Sequence, residues 1–551
     1  MLAFPARKWY DLDMENGSSQ TVKTSDTITI PLSEYESLKS QNAELKQKVD
    51  WLMEQFRLSK KKVFGQSSEK SEYIQLNLFN EAEATADANA VEPELTEIKK
   101  HYRKKAKDAP ERLPEDLPVE TIIHDIPEGE RDCPECGCTM HVMGKDVRRE
   151  LKLIPAQAII VEHVRNVYAC RDCEKDSYGV PIVKAPVDEP VIKGSFASPE
   201  AIAHIMTQKF EMGSPLYRQE QEWNRNGIML SRQTMSNWLI KATEDWLEPV
   251  YAEFHDILLK QTVLHADETT LQVLKEPDKP PDSKSYMWLY RTGKDANAHI
   301  VLFDYQPDRS AKRPKEFLKG YEGYLHTDGY QCYHGMAKEI TIVGCHAHAR
   351  RKFVEALDAM KPEDRATSAA LVGKKYYDRL FEIERDLSSL TPEERHKMRQ
   401  EKSAPLLKEF SGWLASSGVS VKTRTGVAIR YTRDQWKFLS NYLLDGRLEI
   451  SNNRAERSIK PFVIDRKNFL FANTPRGARS AAVIFSIIQT ARENGLNAYD
   501  YLTFLFKVMP NKELCDLPEG FNSLFPWFPY ARDKCRKIPA PEIDTKVDTG
   551  V

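Results

Sequence analysis

Three acidic side chains sit in settings that suit metal chemistry: Asp267 in VLHADETTLQV, Asp328 in GYLHTDGYQCY and Glu456 in LEISNNRAERSIKPF. Phosphodiester cleavage needs a hydroxyl activated for attack and negative charge stabilised on the entering and leaving oxygens. Two divalent ions about 3.5–4 Å apart do both. Mg2+ takes hard oxygen ligands and keeps several waters, so a few carboxylates and a substrate phosphate complete its shell, with Mn2+ as the alternative ion. Three carboxylates from separate segments are the minimum set, one bridging both ions from a central strand. Taken singly, an Asp or Glu is far more often a solvated charge, so the expectation rests on the three together. Glu268 adjoins Asp267. Successive strand residues face opposite ways, so only one of the pair can point into the site, and Asp267 is the one expected.

The elements that must position these acids are legible around them. Between 262 and 345 the chain reads as strands (TVLHADETTLQVL, SYMWLYRT, AHIVLFDY, YEGYLHTDGY, EITIVGC), with a helix, RPKEFLKG, between the third and fourth. Asp267 falls at the centre of the first strand. Asp328 ends the fourth, where Gly329 turns the chain. Glu456 follows Asn452 and Asn453 at a helix start. This β-β-β-α-β order with a late helix is the ribonuclease-H-like arrangement, expected over 261–508 with an all-helical insertion at 346–440. Near these acids, Cys345 and His348 form a C-x-x-H pair after a strand; the bland alternative is a buried Cys and a capping His. Arg351, Asn453, Arg457 and Lys460 are candidates for phosphate contact or for positioning Glu456, although Glu456 and Lys460 also have the spacing of a plain i,i+4 ion pair.

Five of nine cysteines (Cys133, Cys136, Cys138, Cys170, Cys173) crowd into 41 residues. Two C-x-x-C knuckles, Cys133/Cys136 and Cys170/Cys173, predict a closed structural Zn2+ site in a ribbon-like β module over 119–190, with Cys138 a spare that could replace one ligand. Residues 197–260 turn helical, and PLYRQEQEWNRNGIMLSRQTMSNWLIKA reads as helix, turn, helix. Gly227 breaks the first helix and Ser231 caps the second, which would expose Arg232, Gln233 and Asn237 towards DNA; an ordinary αα-hairpin is the competing reading.

Further out, Tyr35, Leu38, Asn42, Leu45, Val49, Leu52 and Phe56 take alternating a and d positions. Leu at d with one Asn at a is the pattern of a short parallel dimeric coiled coil, expected over 31–79; a helix packed on its own chain is the alternative. Residues 1–30 are expected to be disordered, 80–118 to be a linker with the basic run KKHYRKKAK, and 509–551 to be a C-terminal segment with a tail. Over all 551 residues the net charge is −2, so nucleic-acid affinity must come from local charge. No apolar run of about 18 residues occurs, so no membrane span is expected. With no signal-peptide core at the N-terminus either, a cytoplasmic, nucleoid-associated protein is expected.

HADET, HTDGY, CHAHARRKF, SNNRAERSIKPFVIDRKNFLF and RGARSAAVIFSIIQTARENGLNAYDYL closely resemble the insertion sequence 66 family of bacterial transposases, from about residue 32 to about residue 535. The NNRAERSIKPF block is the most specific part. The resemblance implies a D-D-E triad at Asp267, Asp328 and Glu456, cleavage of double-stranded DNA at element ends, strand transfer into target DNA, and small accessory proteins of the same element. Two departures stand out. His346 occupies a position between Cys and Ala where the family often has Trp, and the linker's basic run lacks the Gly and Pro of a GRKP-like minor-groove hook.

The fold class expected is thus multidomain α+β: a coiled coil, a small zinc module, a helix-turn-helix-like region and a ribonuclease-H-like core. A homodimer or higher oligomer on DNA is expected. Two other functions fit parts of the chain: a non-catalytic zinc-containing DNA-binding regulator, and a nuclease of the same fold without strand transfer.

Overall fold

The structure, a computed structural model, describes residues 158–169, 182–512 and 516–537, with scattered positions between 31 and 49. Of the heptad positions, Asn42, Leu45 and Val49 lie in helix, with Leu45 and Val49 exposed. Tyr35, Leu38, Leu52, Phe56, the linker, Cys133, Cys136, Cys138, Cys170, Cys173 and the tail beyond 537 lie outside the described residues.

Two short strands represent the module before residue 188. β1 (Val167–Ala169) pairs antiparallel with β2 (Ile182–Lys184), Tyr168 opposite Val183.

From residue 188 onward the chain builds a helical lead-in, a five-stranded sheet and helices on the sheet. The lead-in is α1 (Pro199–Phe210), α2 (Leu216–Arg225), α3 (Arg232–Ala242), a π-helical turn and α4 (Glu248–Leu258). Ser198 and Ser231 each accept the backbone N–H three residues on, capping α1 and α3. The turn before α3 needs Gly227, whose φ is +76°. On α3, Met235, Trp238, Leu239 and Ala242 are buried, the i, i+3, i+4, i+7 face of a helix laid on a core.

The sheet has the order β5-β4-β3-β6-β7. β3 (Val263–Gln272), β4 (Lys284–Thr292) and β5 (Val301–Gln306) form an antiparallel meander. After α5 (Lys312–Phe317), β6 (Gly323–Thr327) lies parallel to β3, and β7 (Ile340–Gly344) parallel to β6. β3 is therefore central. Its residues Val263–Ala266 and Leu271 are buried and Asp267–Thr270 only half-buried, so its carboxylates lie where the burial of the strand is interrupted.

Helices α6 (His346–Ala359), α7 (Pro362–Arg365), α8 (Ala369–Asp386), α9 (Pro392–Ser416), α10 (Arg424–Asp434) and α11 (Trp436–Ser440) form the insertion. They have their own core around Phe353, Tyr377, Phe410 and Tyr442, joined to the sheet through Val263 and Val343. Arg399, 1% exposed, fixes this layer by pairing with Glu384 and donating to the carbonyls of Tyr442, Asp445 and Leu448. Then come α12 (Asn453–Phe469), α13 (Pro475–Glu493), α14 (Ala498–Val508) and α15 (Pro529–Lys534).

Both sheet edges find partners. On β5, the N–H groups of Val301 and Phe303 donate to Thr490 Oγ1 and Ser486 Oγ of α13, at 3.0 and 2.8 Å. On β7, Asn441 Nδ2 donates to the Ile342 carbonyl at 2.8 Å.

The helices before residue 260 and described residues after 509 contribute to the same core as the sheet. A single core runs from Val191 to Cys535 and contains Trp238, Phe254, the sheet, Phe485, Tyr501 and Phe525. Periodicity shows that α3 and α4 have an apolar face; it does not show which surface covers that face.

Candidate functional site

Asp267 projects from the half-buried end of β3, and its Oδ1 accepts the Glu268 backbone N–H at 2.8 Å. Its carboxyl is pushed well above the usual carboxylate range, first by burial and then by the negative charges of Glu268, Asp328 and Glu456. Asp328 and Glu456, from separate segments, are therefore close enough to Asp267 for their charges to act on it. Asp328 lies one residue past β6, where its Oδ1 accepts the Tyr330 N–H at 3.0 Å. Its carbonyl accepts the Tyr431 hydroxyl of α10 at 3.0 Å, so the insertion braces this turn. Gly329 takes φ +90°, and a Cβ there would meet Tyr431 Oη at 2.8 Å. Glu456 is in the first turn of α12, near the positive end of the helix dipole. Its Oε1 is 3.4 Å from His348 Nδ1 and its Oε2 is 3.6 Å from the Arg351 guanidinium.

Glu268 has another engagement. Its side chain is 1% exposed, paired with Arg309 and accepting the Tyr333 hydroxyl at 2.7 Å. Arg309 in turn stacks on Tyr330, 3.6 Å from the ring centre. Cys345 precedes α6 as its N-cap, and its Sγ accepts the Asn452 N–H at 3.1 Å. Burial would lower the His348 imidazole, yet Cys345 and Glu456 hold it up at about 9.

A buried polar network underlies these groups. His265, two residues before Asp267, directs Nδ1 to Asn452 Oδ1 at 3.0 Å and Nε2 to Glu449 at 2.9 Å. Asn452 Nδ2 donates to the Ala266 carbonyl at 2.8 Å. His326, two residues before Asp328, stacks on His265 with ring centres 4.3 Å apart and accepts the Glu449 N–H at 3.2 Å. Arg454, two residues before Glu456, donates to both Glu449 oxygens at 2.8 and 3.2 Å. Burial opposes the charge on Glu449, but Arg454 and His265 hold its carboxyl well below the usual range. Arg454, 4% exposed, is thus turned away from the surface and committed to Glu449. Sequence reading missed His265, His326, Glu449 and Asn452; the repeated H-x-D in HAD and HTD was the one available signal.

The other candidates are distributed as follows. Asn453 is half-buried at the first position of α12, while Arg457 and Lys460 are exposed on that helix. On α3, Gln233 and Asn237 are exposed one turn apart. Arg232 is exposed but turned back on α2, 3.9 Å from Glu220 and 5.6 Å from the Tyr217 ring. His346 is fully buried, bonded to the Leu439 carbonyl at 2.9 Å and edge-on to Tyr442 and Tyr377. An aromatic cage explains how imidazole stands where the family often has Trp. No helix among the described residues is long and apolar enough to cross a membrane.

Comparison with known proteins bears on this geometry. Residues 194–480 match the model of the transposase IS66 family. Residues 130–174 match the zinc-finger binding domain of transposase IS66, a stretch that spans all five clustered cysteines and supports structural zinc there. Residues 51–122 match a model described as transposase C of IS166 homeodomain. Among curated proteins of Sinorhizobium fredii, the chain is 32% identical to uncharacterized protein y4hP over 494 residues, 84% of this chain and 86% of that one. It is 30% identical to uncharacterized protein y4jD over 404 residues, 71% of this chain and 76% of that one.

Proposed function

Because this chain belongs to the transposase IS66 family, we propose that it is a D-D-E transposase. It binds the ends of its element, hydrolyses them to free 3′-OH groups and joins those to target DNA. The observation that carries this reading is that Asp328 after β6 and Glu456 of α12 come within electrostatic reach of Asp267 of β3, whose carboxyl is raised first by burial and then by Glu268, Asp328 and Glu456. Mutually repelling oxygen donors fit hard divalent cations, so Asp267, Asp328 and Glu456 would hold Mg2+ or Mn2+. The bound ions would activate the attacking hydroxyl and stabilise charge on the phosphate oxygens. The sheet order, with a parallel β6 and β7 joined to an antiparallel meander, supports a ribonuclease-H-like core.

The chain's own residues supply positioning. Asn452 and His265 bind the start of α12 to β3, which keeps Glu456 against Asp267. Tyr431 and Gly329 fix the Asp328 turn. Arg351, Arg457 and Lys460 line the approach to Glu456 with positive charge suited to phosphate. Gln233 and Asn237 form the outer face of α3 for reading DNA, with Arg232 beside them once released from Glu220. Cys133, Cys136, Cys170 and Cys173 hold structural zinc, and residues 31–79 join two copies.

Asp267→Asn, Asp328→Asn and Glu456→Gln are each expected to abolish Mg2+-dependent nicking of an end-containing duplex while end binding persists. Normal nicking by any one removes that residue from the triad. No Mg2+-dependent nicking by the wild type would favour a DNA-binding regulator. Nicking without strand joining would favour a nuclease.

A further inference from the structure

Two donors beside the three acids, Cys345 and His348, are unused, and they form a set with Glu456. Cys345 Sγ, His348 Nδ1 and a Glu456 carboxylate oxygen all lie within 4.8 Å of one another. They come from two rigid pieces, the first turn of α6 and the first turn of α12. His348 Nδ1 and Glu456 Oε1 face each other at 3.4 Å, and neither has a hydrogen-bond partner among the described residues. Two tetrahedral ligands about 2.1 Å from a zinc ion stand roughly 3.4 Å apart, so this pair already has the separation a shared ion requires. The third donor is sulfur, almost fully buried and already accepting a backbone N–H from Asn452, a contact that steadies a thiolate.

We propose that Cys345, His348 and Glu456 form a site for a borderline-soft divalent cation, Zn2+ above all. Thiolate, imidazole and carboxylate are the donors zinc selects, whereas Mg2+ needs oxygen. Three protein ligands leave a fourth position open to water or to a phosphate oxygen. Glu456 would then serve two sites. Zinc draws it towards His348, and magnesium draws it towards Asp267 and Asp328, so zinc opposes assembly of the magnesium centre. That antagonism rests on the reading of Glu456 as a magnesium ligand; the site itself does not.

The test is optical and uses the full chain with its cysteine-rich module first filled by a single equivalent of Zn2+, with none in excess. Co2+ is then titrated as the probe, followed through the sulfur-to-cobalt charge-transfer band. One additional equivalent carrying this band is expected for the wild type. Cys345→Ser should lose the band. His348→Ala, at a partly exposed position, should keep the fold and weaken cobalt binding at least tenfold. No additional band in the wild type overturns the proposal, as does an undiminished band in Cys345→Ser or an unchanged affinity in His348→Ala. A final arm adds Mg2+ in excess. Weakened cobalt binding supports the shared Glu456. Cobalt binding that forms as expected but ignores Mg2+ leaves the site standing and counts against Glu456 as a magnesium ligand.

Discussion

Two layers of charge lie two residues apart along the same three segments, and they are built on opposite terms. In the lower layer His265, His326 and Arg454 surround Glu449, with its carboxylate held by a guanidinium and an imidazole. In the upper layer Asp267, Asp328 and Glu456 carry the same sign, and Asp267 is raised first by burial and then by the like charges of Glu268, Asp328 and Glu456. A buried charge without a partner is expensive, so a fold keeps one only where something else will complete it. The balanced layer secures the backbone; in the other, Glu456 faces His348 and Arg351 while Asp267 meets like charge, and that layer is left for a ligand. What separates them is sign balance rather than burial.

The sharpest way to break the comparison is to neutralise one member of each layer. Asp267→Asn should eliminate nicking and yet raise the melting temperature, on the order of 2 °C, because it relieves repulsion. A fall in melting temperature would mean that the upper layer is not strained by like charge. Glu449→Ala should do the reverse to stability. It strands Arg454, 4% exposed, without its acid, and such losses run to about 3–5 kcal/mol. Urea unfolding reads this directly, and a loss under 1 kcal/mol would show that the network is dispensable.

Acidity gives a smaller separation. Burial holds His326 well below its ordinary value and lowers His346 to about 4. Both imidazoles stay neutral in the fold while the unfolded chain takes up protons below about pH 6.5. The unfolded state then binds more protons, so stability rises with pH. It should be complete above about pH 7 and decline progressively below about pH 6.5. His346→Phe, placed in the Tyr377–Tyr442 cage, should flatten part of that decline in a pH series of thermal melts. The smallest effect belongs to the surface. Arg232→Ala breaks an exposed pair with Glu220 worth about 0.2–1 kcal/mol at most, and should weaken end binding more than it lowers stability.

The two layers also differ in how far they can be read without coordinates. Asp328 and Glu456 stand out because each sits at the end of a strand or the start of a helix, next to turn chemistry that a sequence displays: Gly329 after Asp328, and Asn452 and Asn453 before Glu456. Asp267 stands out as a carboxylate within a strand that opens on an apolar run. The strand order and the helical insertion follow from apolar runs and their spacing. The lower layer is hidden because its partners meet across 187 residues in one contact, His265 to Asn452, and across 123 in another, His326 to Glu449. A buried His in an apolar run looks like any core residue, and Arg454 beside Glu456 looks like a surface ion pair. The choice between Asp267 and Glu268 is of the same kind. Alternation says that they face apart; only Arg309 and Tyr333 reveal which face Glu268 takes. That α3 and α4 share the sheet's core is hidden for a related reason, since an amphipathic helix announces an apolar face without naming what it covers.

The hydroxyls of Ser486 and Thr490 on one sheet edge, and the amide of Asn441 on the other, bear on assembly. Each occupies a main-chain group that an incoming strand would have to claim. Two copies cannot extend one another's sheet without first stripping away these side chains. A partly made chain lacking α13 would expose β5 as a naked edge, so the completed fold is also the chain's own safeguard against fibrous aggregation.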